Sequence, residues 1–121
     1  MSPAEIVDQQ LDAYNARDAS RFASTYAEDV HVFLMPNLKL AVRGRPALQA
    51  HYSTNVFSRE GLRAEVLSRM AVGNKVVDHE RTHGLAPNPV ESIVIYEVVD
   101  GLIQAVWFYW PNARFLPASE A

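Results

Sequence analysis

At 121 residues the chain has room for one domain and no second hydrophobic core, so a single domain spanning 1–121 is expected. Apolar residues make up 49% and charged residues 21%, which argues against a disordered chain. A net charge of -3 with scattered basic residues argues against a nucleic-acid or anionic-membrane surface. With no cysteine, disulfide scaffolds, thiolate zinc sites and a cysteine nucleophile are excluded.

The N-terminal "MSPAEIVDQQL" has neither the basic nor the apolar region of a signal peptide. The longest apolar stretches, around Val90–Val99 and Leu102–Trp110, are too short and interrupted to cross a bilayer. A soluble, cytoplasmic protein is expected. Ser2, Pro3 and Glu5 form a capping box with proline at the first helical position, opening a helix with Ile6, Val7, Gln10, Leu11, Ala13 and Tyr14 at helical spacing. Asp18 caps a second short helix with Phe22 and Tyr26 one turn apart, expected to end near 27–29. Val30–Leu34 reads as a strand carrying His31 outward, Pro36 and Asn37 break it, and Leu40–Arg43 forms a short partner. Gly44, Arg45 and Pro46 introduce a third helix with Leu48, His51, Tyr52, Asn55 and Val56 along it.

From Leu62 the period falls to two. Gly73-Asn74 and Asp100-Gly101 tolerate positive φ, so they predict two hairpins: Ala64–Val72 with Lys75–His83, and Ser92–Val99 with Leu102–Trp110. A proline-broken loop, "GLAPNPVE", joins them, and the tail after Pro111 reads as frayed. Helices gathered on one antiparallel sheet make an α+β domain.

Residues 79–83 read "HERTH", the zinc-protease signature. That chemistry needs a helix, where positions i and i+4 stack over one metal. On a strand the two histidines lie about 13 Å apart, beyond any pair of zinc bonds of about 2 Å. "KVVDHERTHG" follows a Gly-Asn turn and starts with β-branched residues, so the strand is favoured, no metal is expected, and a zinc protease remains a distant alternative. Simple pairing across Gly73-Asn74 sets Val72 opposite Lys75, Met70 opposite Val77, Ser68 opposite His79, Val66 opposite Arg81 and Ala64 opposite His83. The other face pairs Arg69 with Asp78, Leu67 with Glu80 and Glu65 with Thr82. The first set is the more apolar, so it is expected to face inward, carrying His79, Arg81 and His83 into a polar-mouthed pocket. In the second hairpin one face holds Ser92, Tyr96, Trp107 and Tyr109. Both of its faces are apolar, which calls for a homodimer through the outer sheet face.

The order of elements, with "YNARDASRFASTYAEDVHV", "GRPALQAHYSTNVF" and "YEVVDGLIQAVWFYW", resembles the nuclear transport factor 2-like superfamily, and within it the SnoaL-like and ketosteroid-isomerase-like proteins. The resemblance covers nearly the whole chain. It implies a cone-like, strongly curved antiparallel sheet wrapping three N-terminal helices (a cystatin-like α+β barrel), with a cavity at its mouth and frequent dimers. The places of the isomerases' helix-1 tyrosine, strand-1 aspartate and late-strand acid hold Gln10, Leu34 or Met35, and Val94, which removes that catalytic set. The Asp-Arg-Asp set of limonene-epoxide hydrolases would have Arg81 as its arginine, with no inward aspartates to flank it.

The functional expectation is a small-molecule pocket protein, isomerase-, cyclase- or hydrolase-like. His79 and His83 act as acid and base, Arg81 holds an anionic oxygen, and Tyr96, Trp107, Tyr109, Ser68 and Gln10 contact a small apolar or carboxylated metabolite. No cofactor is implied. The alternative is a non-catalytic ligand-binding or dimeric interaction domain.

Overall fold

The computed structural model describes residues 1–111, so the tail after Pro111 lies outside the described residues. Helix α1 spans Pro3–Asn15, and its capping box forms: Glu5 N–H donates to Ser2 Oγ, and Ser2 N–H donates to Glu5 Oε1. Helix α2, Ala19–Ala23, is capped by Asp18 but ends earlier than its apolar spacing suggests. Thr25 closes it by donating from Oγ1 to the Phe22 carbonyl, and strand β1 (Tyr26–Leu34) begins at once. Strand β2 is Lys39–Arg43, and α3, Arg45–His51, runs into a π-helical turn over Tyr52–Val56. Strands β3 (Arg63–Val72), β4 (Lys75–His83), β5 (Val90–Val99) and β6 (Leu102–Tyr109) complete the order.

The six strands form one sheet in the order β2-β1-β6-β5-β4-β3, antiparallel except where β1 meets β6. The curved sheet holds the helices against its concave side, making the α+β cone. Val7, Phe22, Val30, Leu48, Val76, Val94 and Ile103 are fully buried where helices and sheet meet. Side-chain clamps fix the helices. Asn15 accepts from Ala64 N–H at 2.8 Å and donates to the Ala64 carbonyl at 3.0 Å, so its amide copies a strand edge for β3. Arg45 donates from Nε to the Tyr26 carbonyl at 3.0 Å, tying α3 to β1.

Two β-bulges decide which side chains enter the cone. In β3 the pairing near the turn is the simple one, with Val72 opposite Lys75, Met70 opposite Val77 and Ser68 opposite His79, but Leu67 is bulged out. Beyond it Val66 faces Glu80, Glu65 faces Arg81 and Ala64 faces Thr82. One inserted residue reverses which side chains share a face. In β6 the register slips at Gln104, so Ile95 pairs with Trp107 and Ile93 with Tyr109 on the outer surface, while Phe108 pairs with Val94. Burial alternates strictly along β4, with Val76, Asp78, Glu80 and Thr82 inside.

Gly84 ends β4 at φ +93°, and a Cβ there would meet Leu62 Cα at 2.7 Å and Leu62 N at 2.8 Å. Both contacts are with backbone, which cannot swing aside. Gly84→Ala is therefore expected to cost about 2–4 kcal/mol of unfolding free energy, read from urea denaturation.

Candidate functional site

The face assignment of the first hairpin is corrected by the structure. His79, Arg81 and His83 lie on the outer, partly exposed face, as do Ser68, Trp107 and Tyr109. Carboxylates on neighbouring strands approach all three side chains, but the buried His83 Nε2 makes no hydrogen bond among the described residues. His79 Nε2 is 2.7 Å from Glu91 Oε1; Arg81 reaches Glu65 at 3.4 Å and Glu91 at 3.7 Å; His83 Nε2 lies 3.7 Å from Glu65. The His79 hydrogen bond holds the Glu91 carboxyl below its ordinary range. Of the charge-rich set expected outside, Arg69, Asp78, Glu80 and Thr82 supply the interior while Leu67 and Glu65 stay outside, and the inward charges have a simple reason. Arg69 and Asp78 neutralise one another, which lets a charged pair occupy a buried face. His31 faces outward, as expected, and stacks on Phe33.

Inside, Asp78 is completely buried and takes a two-pronged hydrogen bond from Arg69, Nε to Oδ1 at 2.7 Å and Nη2 to Oδ2 at 3.0 Å. Arg69 Nη1 reaches on to Asp8 of α1 at 2.7 Å, clamping helix to sheet. This is an Asp-Arg-Asp arrangement, built on Arg69 rather than Arg81, with both Asp78 oxygens consumed by the guanidinium.

Two residues further along the same face stands Glu80, 8% exposed, and here the pairing stops. Among the described residues its hydrogen-bond partner is the Tyr96 hydroxyl, which donates to Oε2 at 3.2 Å. Burial, with the Asp78 charge adding to it, pushes the Glu80 carboxyl up to about 7, against the opposing pull of Tyr96 and Arg69. Four tyrosines feel that carboxylate. Burial first and then their charged neighbours push the hydroxyls of Tyr14, Tyr26, Tyr52 and Tyr96 above the ordinary phenol value. All four stay protonated and able to donate. Tyr14 and Tyr52 join Phe22 and Phe57 in one aromatic cluster with ring centroids 4.6–6.3 Å apart. The π-helical turn places Tyr52 there, and such turns recur at functional sites.

Of the side chains singled out in the sequence as ligand contacts, Tyr96 and Gln10 are inside, on β5 and on the sheet-facing side of α1. Glu80, Asp78, Arg69, Tyr14, Tyr26 and Tyr52 were not picked out. A signal for them did exist. Lys75 shares its face with His79, Arg81 and His83, whereas fully apolar Val76 shares its face with Asp78 and Glu80.

The SnoaL-like domain family model matches residues 7–106. The chain belongs to the SnoaL-like family. No curated protein gives a significant match to this SnoaL-like chain. Solved structures give many. A nuclear transport factor 2-like protein of unknown function from Burkholderia xenovorans is similar at 20% identity and TM-score 0.77, over 91% of this chain and 83% of its own. A protein with a ketosteroid-isomerase-like fold from Catenulispora acidiphila, in complex with trimethylamine, is similar at 16% identity and TM-score 0.73, covering 99% and 95%. A computationally designed 17-OHP binder is similar at 18% identity and TM-score 0.78, covering 95% and 98%. At these identities the likeness is one of fold, and it agrees with the helix-lined cone of this SnoaL-like chain.

Proposed function

We propose that this SnoaL-like protein binds a small molecule inside the cone and moves a proton on it through Glu80. The observation that carries the reading is Glu80 itself: a buried carboxylate with one hydroxyl partner, beside an aspartate that has its own arginine. A carboxyl at about 7 exists in both forms near neutrality, so it can accept a proton in one step and return it in the next. Tyrosine hydroxyls nearby are donors for an oxygen that gains charge. The rest of the interior is mostly apolar, with Gln10, Thr82 and Ser92 as further buried polar side chains, which suits a ligand with a few polar groups. Similar structures hold trimethylamine in one case and were designed around 17-OHP in another, which supports small ligands as occupants of this fold.

The test is a thermal-shift and turnover panel of small ketones, epoxides, amines and steroids on the wild type, Glu80→Gln and His79→Gln. Glu80→Gln is expected to lose turnover at least 100-fold while remaining folded, and His79→Gln to keep it. The opposite ranking would return the chemistry to the outer row of His79, Arg81 and His83. Stabilisation without product would favour a binding module using the same interior.

The outer sheet face exposes Met70, Val72, Ile93 and Tyr109, beside the stacked Phe33 and Trp107. We assign this face to pairing with a second copy of the chain. Ile93→Arg, in the middle of the patch, is expected to give a monomer in sedimentation, and an unchanged sedimentation coefficient would remove the assignment.

A further inference from the structure

Among the described residues, charge inside the cone does not balance. Arg69 is there the cation paired with the interior carboxylates, and it is committed to Asp78 on β4 and Asp8 on α1. Two carboxylates already share that one guanidinium, so an ionised Glu80 adds a negative charge with no cation assigned to it. Among the described residues, the groups facing Glu80 from the surrounding elements are otherwise the neutral Tyr96 on β5, Tyr14 on α1, Tyr26 on β1 and Tyr52 on the π-helical turn, with the Arg59 charge reaching Tyr14. Among the described residues no hydrogen bond ties up the hydroxyl of Tyr26 or Tyr52, although both residues are more than nine-tenths buried.

Aromatic rings around a lone carboxylate make a recognisable chemistry. The faces of tyrosine and phenylalanine attract organic cations, and a buried carboxylate supplies the formal counter-charge. A compact ammonium group beside Glu80 would satisfy the carboxylate and gain from the electron-rich rings packed around it. It would also relieve the repulsion between Glu80 and Asp78. A ligand of the opposite charge would meet an uncompensated carboxylate at close range.

We propose that the ligand of this site carries an organic ammonium group, seated against Glu80 among the rings of Tyr14, Tyr26, Tyr52 and Tyr96. The inference rests on the interior being the binding site. Binding requires ionised Glu80, which is also the form that can accept a proton. The ionised fraction of a group titrating at about 7 rises about tenfold between pH 6 and pH 8, so ammonium affinity rises about tenfold with it and then levels off.

The experiment uses choline and its neutral carbon isostere, 3,3-dimethyl-1-butanol, titrated into the whole protein at pH 6, 7 and 8. Calorimetry reads affinity, and nuclear magnetic resonance of the Tyr14 and Tyr52 ring protons reads location. Choline is expected to bind at least tenfold more tightly than the isostere, to gain affinity with pH, and to lose its preference in Glu80→Gln. Equal binding of the two, or a preference that survives in Glu80→Gln, overturns the proposal. A panel of neutral aromatic alcohols runs alongside. If those shift the tyrosine rings and choline does not, the ammonium inference fails and the interior site stands; if nothing of either class shifts them, both fail.

Discussion

Arg69→Met is expected to lower the unfolding free energy by about 3 kcal/mol at neutral pH. Removing one partner of a buried ion pair typically costs 3–5 kcal/mol, because the other charge is left in a poor dielectric. Here the lower end applies, since Arg69 keeps about a fifth of its side chain in water. The stranded charge is Asp78, which has no exposure at all and stands two residues from Glu80. A second substitution separates a lost charge from a lost shape. Arg69→Met with Asp78→Leu removes both ions and is expected to recover most of the stability. Urea unfolding of wild type, single and double variants reads this directly, and a double variant as weak as the single one would mean that the helix-to-sheet clamp, rather than buried charge, sets the cost.

Glu80→Gln is expected to make the protein more stable above pH 7, while damaging whatever the interior does. The unfolded carboxyl titrates at its ordinary value of 4.5 and the folded one at about 7. Between those values the folded state holds a proton that the unfolded state has released. Stability therefore falls as pH rises through that window, by roughly 1.4 kcal/mol per unit and about 3 kcal/mol in all. Below pH 4.5 and above pH 7 this group contributes no slope. Glutamine mimics the protonated carboxyl and carries no such penalty, so the variant should match the wild type near pH 4.5 and exceed it at pH 8. Denaturant titrations at pH 5, 6, 7 and 8 supply the comparison. Parallel pH profiles for the two proteins would show that Glu80 is not the group responsible. A stability cost concentrated on one buried carboxyl fits the proposed proton-transfer role, since such trades are common at functional sites.

The order of elements was readable because each has a local cause. Ser2 and Glu5 start α1, Asp18 starts α2, and Gly73 and Asp100-Gly101 turn the hairpins. The SnoaL-like resemblance was readable for the same reason, since its phrases lie at those element junctions. Facing was harder to read. A strand with period two has two equivalent readings, and choosing between them depends on residues far away in sequence. Arg69 and Asp78 look like a solvated surface pair until Asp8 of α1 is brought across them. The bulges at Leu67 and Gln104 carry no glycine or proline to announce them. Each turns one end of its hairpin over relative to the other, so a simple register sent Trp107 and Tyr109 to the wrong side, while His79 was misplaced because its face carries the apolar Val66, Met70, Val72 and Val77 in a simple pairing. Glu80 was hidden within "HERTH" by the two histidines that flank it.

The parallel contact between β1 and β6 has a kinetic consequence. Its partners, such as Tyr26 and Ile103, are separated by most of the chain, and the Gln104–Asp29 hydrogen bond spans 75 residues. The clamp from Asp8 to Arg69 spans 61. Neither end of the cone can close until the last strand has arrived, and such distant pairings are the slow, entropy-limited kind. During synthesis, the carboxylate and its tyrosines would therefore come together as one of the last events, after the hairpins between 63 and 109 have formed on their own.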